Sequence, residues 1–154
     1  MNYQKLYPIL NFPNVELFVE QRDDKWFIYD VIRKKYIVLT PEEWVRQHLI
    51  HYLINYLNYP ASLIQVEYGF FIKNKAYRVD LATFSRQAKP LLLCECKAPT
   101  IKLTNKTISQ AAMYNYREQA PYIFITNGIS HYCFFYNGTE WIKQNKIPDF
   151  KDFM

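Results

Sequence analysis

Runs of apolar residues broken by short polar stretches make the first forty residues read as extended pieces. VELFVE (15–20), KWFIYD (25–30) and KKYIVLT (34–40) are rich in β-branched and aromatic residues, are separated by short charged turns, and predict three strands. The period then changes. In TPEEWVRQHLIHYLINYLNYP (40–60), Val45, Leu49, Tyr52, Leu53 and Tyr56 recur at helical spacing and predict one buried stripe. Thr40 as N-cap, Pro41 at the first helical position and Glu43 three residues past the cap predict a capping box, and Asn58–Pro60 a stop. Strand patterns return in LIQVEYGFFI (63–72) and AYRVDLATF (76–84), which Lys-Asn-Lys joins as an antiparallel hairpin, and in LLLCECKA (91–98). A second helix is expected over roughly 107–120 with Thr107 or Ser109 as cap, then strands in PYIFITNG (121–128) and HYCFFYNG (131–138).

Strands, helix, strands, helix, strands is the order of an α/β layered domain, a central mixed β-sheet flanked by helices, with extra N-terminal strands. No repeat, low-complexity tract or linker interrupts the 154 residues, so one domain is expected. Half the residues are hydrophobic and 18% are aromatic, which excludes a disordered chain. No apolar run approaches the ~20 residues that span a bilayer, so no membrane association is expected. The N-terminus lacks a signal-peptide layout, which points to the cytoplasm. Cys94, Cys96 and Cys133 then read as reduced thiols, and no second Cys/His pair stands at zinc spacing. A net charge of +5 modestly favours polyanionic partners. None of the three glycines belongs to a phosphate loop, so no NTP-driven motor is encoded here.

The chemistry lies in LLLCECKAPT (91–100), where an apolar run continues into a carboxylate and an ammonium. Alternation puts Leu91, Leu93, Glu95 and Lys97 on one side and Leu92, Cys94, Cys96 and Ala98 on the other. If the preceding strand pairs with this one, Asp80 converges with Glu95. Two carboxylates held close and buried repel, and a divalent cation removes that penalty. Mg²⁺ prefers such oxygens, and the Cys96 carbonyl offers one more. Lys97 would hold an attacking water and offset charge on a phosphate. The plainer alternatives are a Glu95–Lys97 ion pair at a strand end and Asp80 paired with Arg78. On the first helix Glu42 falls on the side of Val45 and Leu49, whereas Glu43 lies away from it; Glu42 equally suits an exposed first turn, where its charge favours the helix dipole.

Val79-Asp80, fourteen residues, then Glu95-Cys96-Lys97 resembles the P-D…(D/E)-x-K nuclease superfamily, with Val79 where that motif often has proline. Gln110 and Tyr114, one helical turn apart, look like the Q-x-x-x-Y motif of RecB-like nucleases. TPEEWVRQHLIHYL, VEYGF, YRVDLATF, LLLCECKAP, SQAAMYNY and PYIFITNG follow the order of the N-terminal nuclease region of the type I restriction enzyme R protein. The likeness covers roughly 40–138, leaving 1–39 as an N-terminal strand region and 139–154 as a tail.

This resemblance implies a restriction-endonuclease-like core and a Mg²⁺-dependent DNA endonuclease, with Mn²⁺ as substitute. Asp80 and Glu95 match the family's metal ligands and Lys97 its catalytic lysine. Glu42 matches the acidic residue of the first helix that helps bind metal or water, and Glu43 takes that place if the helix is rotated. Gln110 and Tyr114 match the motif that orients the lysine or contacts the DNA backbone; by themselves they read as a polar residue and a packing tyrosine. Lys102 and Lys106, like Arg33-Lys34-Lys35, are candidate phosphate contacts or solvated charge. His48 and His51 are expected at the polar edge of the first helix, and Tyr52, Tyr56 and Tyr59 in core and rim. The expected partners are DNA, a separate motor or specificity subunit, and a second copy, since cutting both strands takes two sites. The competing reading is a non-cleaving nucleic-acid-binding or assembly module that keeps the fold.

Overall fold

A computed structural model describes the backbone of residues 3–154 and all of their side chains but those of Tyr3, Tyr116 and Arg117. Two sheets and two helices form the fold. The first sheet is the antiparallel meander β1 (Val19–Arg22), β2 (Lys25–Asp30) and β3 (Lys35–Val38). The second has six strands in chain order: β4 (Ile64–Ile72), β5 (Lys75–Phe84), β6 (Pro90–Cys96), β7 (Tyr122–Thr126), β8 (His131–Tyr136) and β9 (Trp141–Gln144). Its ladders are antiparallel except β6–β7, whose parallel pairing is bridged by helix α2 (Asn105–Glu118). The mixed sheet flanked by helices and the extra N-terminal strands are therefore present. The strand expected over 15–20 begins only at Val19, and β9 together with buried Ile147 and Phe150 occupies residues 139–154, expected as a tail. Among the described residues no helix is long and apolar enough to cross a membrane.

Helix α1 (Pro41–Asn55) departs most from its pattern. A single apolar stripe predicts one buried face, yet every residue from Glu43 to His51 is buried. The reason is a layer on each side. Ile28 of β2 and Leu81, Leu92, Cys94, Phe124 and Cys133 of the large sheet join Val45, Leu49, Ile50 and Leu53 in one apolar cluster. Ile28, Val45, Leu49, Ile50 and Leu53 are 0% exposed, and each contributes ~1.5–3 kcal/mol by leaving water. His48 and His51, expected at a polar edge, are buried, and burial lowers both imidazole pKa values. Tyr56, expected in the stripe, is exposed at the C-cap. Thr40 accepts from the Glu43 amide as an N-cap should, but the capping box stays half-formed because the Glu43 side chain turns to arginines. The second helix starts earlier than its pattern suggests, with Thr104 in place of Thr107 or Ser109 at the N-cap.

On the opposite face of the large sheet, Ala111 of α2 packs with Leu93, Ile123, Ile125, Val79 and Phe70. Lys73 (φ 48°) and Asn74 (φ 66°) give the β4–β5 hairpin a two-residue turn with both centres left-handed, as type I′ demands. Midway along this hairpin the ladder skips one pair. Val66 faces Leu81 and Tyr68 faces Val79, while Glu67 and Asp80 between them are left out, with Glu67 at φ 55°. The strands swap faces there: Val66 and Leu81 pack toward α1, whereas Tyr68, Phe70, Tyr77 and Val79 pack toward α2. A left-handed non-glycine residue costs about 1–2 kcal/mol, and the kink it makes sits beside Asp80.

Candidate active site

Asp80 and Glu95 meet at the C-terminal end of β6. Leu92, Cys94 and Cys96 of that strand pack toward α1 and Leu93 toward α2, as alternation predicts; Leu91, next to the register shift at Phe84, joins the α1 side instead. The β5–β6 ladder ends at Leu81–Cys94, and past it the Cys96 amide donates to Asp80 Oδ2 at 2.7 Å. This bond ties the Asp80 carboxylate to the strand that carries Glu95. Asp80 Oδ1 faces Arg46 Nη1 at 3.8 Å. Glu95 Oε1 is buried and has no hydrogen-bond partner. Burial first, then the charge of Asp80, push the Glu95 carboxyl up to about 8, against an opposing pull from Lys97. Lys97 is half-buried; its amide donates to the Thr126 carbonyl at 2.8 Å, and among the described residues its ammonium has no ion pair.

The two acidic residues that open α1 go different ways. Glu42 is half-buried with its pKa raised, by burial first and then by Asp80, while Arg46 and Lys97 oppose the rise. It thus shares Asp80 and Lys97 as electrostatic neighbours with Glu95. Glu43, which the helical pattern places away from the core, is 4% exposed. It pairs with Arg33, with Arg46 Nη2 at 2.7 Å and with Gln47 Nε2 at 3.2 Å. Gln47 Nε2 also donates to Asp30, which is fully buried and accepts from the amides of Ile32 and Arg33 and from Arg33 Nε. Burial raises the Asp30 pKa, but the bonds from Arg33 and Gln47 outweigh it and hold the carboxyl below its ordinary range.

Arg33 is accordingly committed to Asp30 and Glu43 rather than solvated or open to phosphate. Arg46, buried at 6%, is the site residue that sequence reasoning missed. Its only local signal is the three-residue spacing from Glu43, which puts the pair on one helix face. Nothing in the sequence tells that its far side reaches Asp80 and, at 3.7 Å, Glu67.

Gln110 and Tyr114 do come together: Gln110 Nε2 donates to the Tyr114 hydroxyl at 3.0 Å. The Tyr114 ring packs toward the hairpin, with centroids 5.4 Å from Tyr77 and 6.1 Å from Phe70. Lys102 and Lys106 are exposed around the start of α2. Among the described residues no group of three or more His, Cys, Asp or Glu is disposed to hold a metal ion. Two carboxylates, one of them with an orphaned buried oxygen, are the donors the site offers. That set fits a hard cation completing its shell with water.

Residues 41–148 match the family described as Type I restriction enzyme R protein N terminus. Among solved structures the chain is similar to "The fragment structure of a putative HsdR subunit of a type I restriction enzyme from Vibrio vulnificus YJ016", at 18% identity and a TM-score of 0.53 over 71% of this chain. The chain spans 24% of that fragment's length, and at such identity the likeness is one of fold. No curated protein matches the chain.

Proposed function

The chain belongs to the family of type I restriction enzyme R protein N-termini, and from that premise we propose that it is a Mg²⁺-dependent DNA endonuclease domain of restriction or defence type. One observation carries the reading: half-buried Glu95 meets Asp80 with its buried Oε1 lacking a hydrogen-bond partner, beside Lys97, whose ammonium has no ion pair among the described residues. A folding-only arrangement would give such a carboxyl its partners, since enclosing one without them is costly enough to hold it protonated well above its ordinary range.

Asp80, Glu95 and the Cys96 carbonyl are the groups that would hold Mg²⁺, or Mn²⁺ in its place, with Glu42, which feels the Asp80 charge, as the further acidic residue helping to bind metal or water. When bound, the cation supplies Lewis-acid stabilisation of charge at the phosphoryl group. Lys97 orients the water whose oxygen bonds to phosphorus as the bond to one bridging oxygen breaks, and that leaving oxygen takes up a proton. The ammonium also offsets negative charge gathering on the non-bridging oxygens. Gln110 and Tyr114, bonded to each other on α2, serve with Lys102 and Lys106 as contacts to the DNA backbone. A motor or specificity subunit on another chain, or a second copy of this one, completes double-strand cleavage.

A second reading has its own support. Arg46 already places a cation 3.8 Å from Asp80, as a DNA-binding or assembly module that no longer cleaves would require. Incubation of supercoiled plasmid with Mg²⁺ or Mn²⁺ separates the two. Metal-dependent nicking by the wild type and none by Lys97→Ala is the expected result. Nicking by Lys97→Ala at the wild-type rate would remove the assignment, and binding without nicking by either protein would leave the second reading.

A further inference from the structure

Beyond the kink at Glu67 and Asp80, the β4–β5 hairpin carries a face that none of the described residues covers. Gly69, Phe71, Ala76 and Arg78 are cross-strand neighbours on that face and all are exposed, Phe71 at 65%. The other face, with Phe70 and Tyr77, is packed on α2. Small residues on both sides leave the Phe71 ring standing alone. Around it the charge has one sign: from Tyr68 to Val79 the chain has Lys73, Lys75 and Arg78 and no acidic residue. The I′ turn fixes where the tip lysines project, and Lys75 Nζ lies 5.4 Å from the centroid of the Tyr77 ring. Back along the same ribbon, Arg78 Nη1 reaches Glu67 at 4.0 Å, and Glu67 lies opposite Asp80. The exposed face therefore leads into the candidate active site.

We propose that this hairpin tip, through Phe71, Lys73 and Lys75, is a DNA-contact ribbon that enters the major groove of a duplex beside the cleavage site. A two-stranded ribbon fits that groove, an aromatic ring there makes apolar contact with thymine methyls, and lysines at the tip neutralise flanking phosphates. Ala76, opposite Phe71, is four residues from Asp80, so the Phe71 ring stands about 13 Å along the ribbon from the carboxylates, about four base pairs of B-DNA, with the turn about 20 Å out. Only this spacing rests on the nuclease reading; the groove contact stands on the ribbon itself. A second copy pairing along the β4 edge is the competing occupant, but it sets the same three positive charges against one another, whereas DNA complements them.

The test is fluorescence anisotropy of a labelled duplex across a salt series without divalent metal, using the whole chain. Lys73→Gln/Lys75→Gln should raise Kd by on the order of tens of fold at 0.1 M salt and flatten the slope of log K against log salt by about 1.8. Phe71→Ala should weaken binding with the slope unchanged, and all three substitutions should leave the melting curve in place. Wild-type slope and Kd in the double variant, or no salt-dependent binding by the wild type, would overturn the ribbon. So would conversion of a wild-type dimer to monomer by Phe71→Ala with DNA binding intact. Tip-dependent binding without metal-dependent nicking would leave the ribbon standing and remove the nuclease reading; nicking with tip-independent binding would do the reverse.

Discussion

Two acidic pairs flank helix α1, and they are settled in opposite ways. Asp30 and Glu43 are both buried, and each is met by Arg33 and Gln47, with Arg46 added on Glu43. Asp80 lies on the other side of Arg46 and receives the Cys96 amide and a guanidinium at 3.8 Å, while Glu95 beside it feels Lys97 and keeps a buried oxygen with no partner. The chemical groups are the same and the protein is the same. Protein cations and donors neutralise the first pair because it joins the N-terminal sheet to α1. The second is left short of positive charge, which is the condition a site needs if a cation and a phosphate are to complete it.

The contrast can be broken most sharply at Asp30. Asp30→Ala strands Arg33, two backbone amides and Gln47, and should cost about 3–5 kcal/mol, roughly 6–20 °C of melting temperature in a chain of this size. Glu95→Gln, made at a half-buried carboxyl whose buried oxygen has no partner, should leave the melting temperature unchanged or raised. A larger loss in Glu95→Gln than in Asp30→Ala, by calorimetry, would reverse the comparison.

Lys97→Ala should cut nicking by about 10²–10³-fold, in the range for loss of a preorganised charge at a reacting centre, with little change in stability. Next comes the cation itself. Mg²⁺ at about a hundred times its Kd should add about 2.7 kcal/mol to the stability of the wild type and nothing to that of an Asp80→Ala/Glu95→Gln double variant.

The same experiment has a pH axis. The Glu95 pKa of about 8 in the folded state lies above the ordinary 4.5, so between those values the folded chain holds the extra proton. Its contribution to stability is full below pH 4.5 and is lost as pH rises through about 8. Asp30 is lowered, so its contribution is present above the ordinary 3.8 and is lost as pH falls below it. Without metal the wild type should therefore lose stability from pH 5 to 8 more steeply than Glu95→Gln, and Mg²⁺ should flatten the difference. Parallel melting curves for the two proteins over that range would remove the buried-carboxylate account. The smallest effect belongs to Gln110→Ala. Its side chain is exposed and bonded to Tyr114, so stability should shift by less than about 0.5 kcal/mol, and any larger change in nicking isolates a role at the DNA backbone.

Much of this architecture was legible before any coordinates. The β4–β5 hairpin, its Lys-Asn turn, the strand ending in Glu95 and both helices follow from period and turn chemistry, and Asp80 meets Glu95 because adjacent strands pair. The misses on α1 share one cause. Glu43, His48 and His51 look like the polar side of an amphipathic helix, and become interior only because the N-terminal sheet covers that side. Local pattern reports what an element offers and is silent about how many layers will pack on it.

The sequence by itself determined most of the elements, the spacing of Asp80, Glu95 and Lys97, and the unbroken positive sign of the hairpin tip, because period, turn type and charge are properties of neighbouring residues. Tertiary structure alone decided that Glu42 shares its field with Asp80 while Glu43 turns to Arg33, and that Arg46 stands between the two acidic pairs. Those outcomes depend on charges from β2, α1, β4, β5 and β6 meeting in one volume. Coulomb energy there is set by distance and burial, and neither is written in the order of the chain.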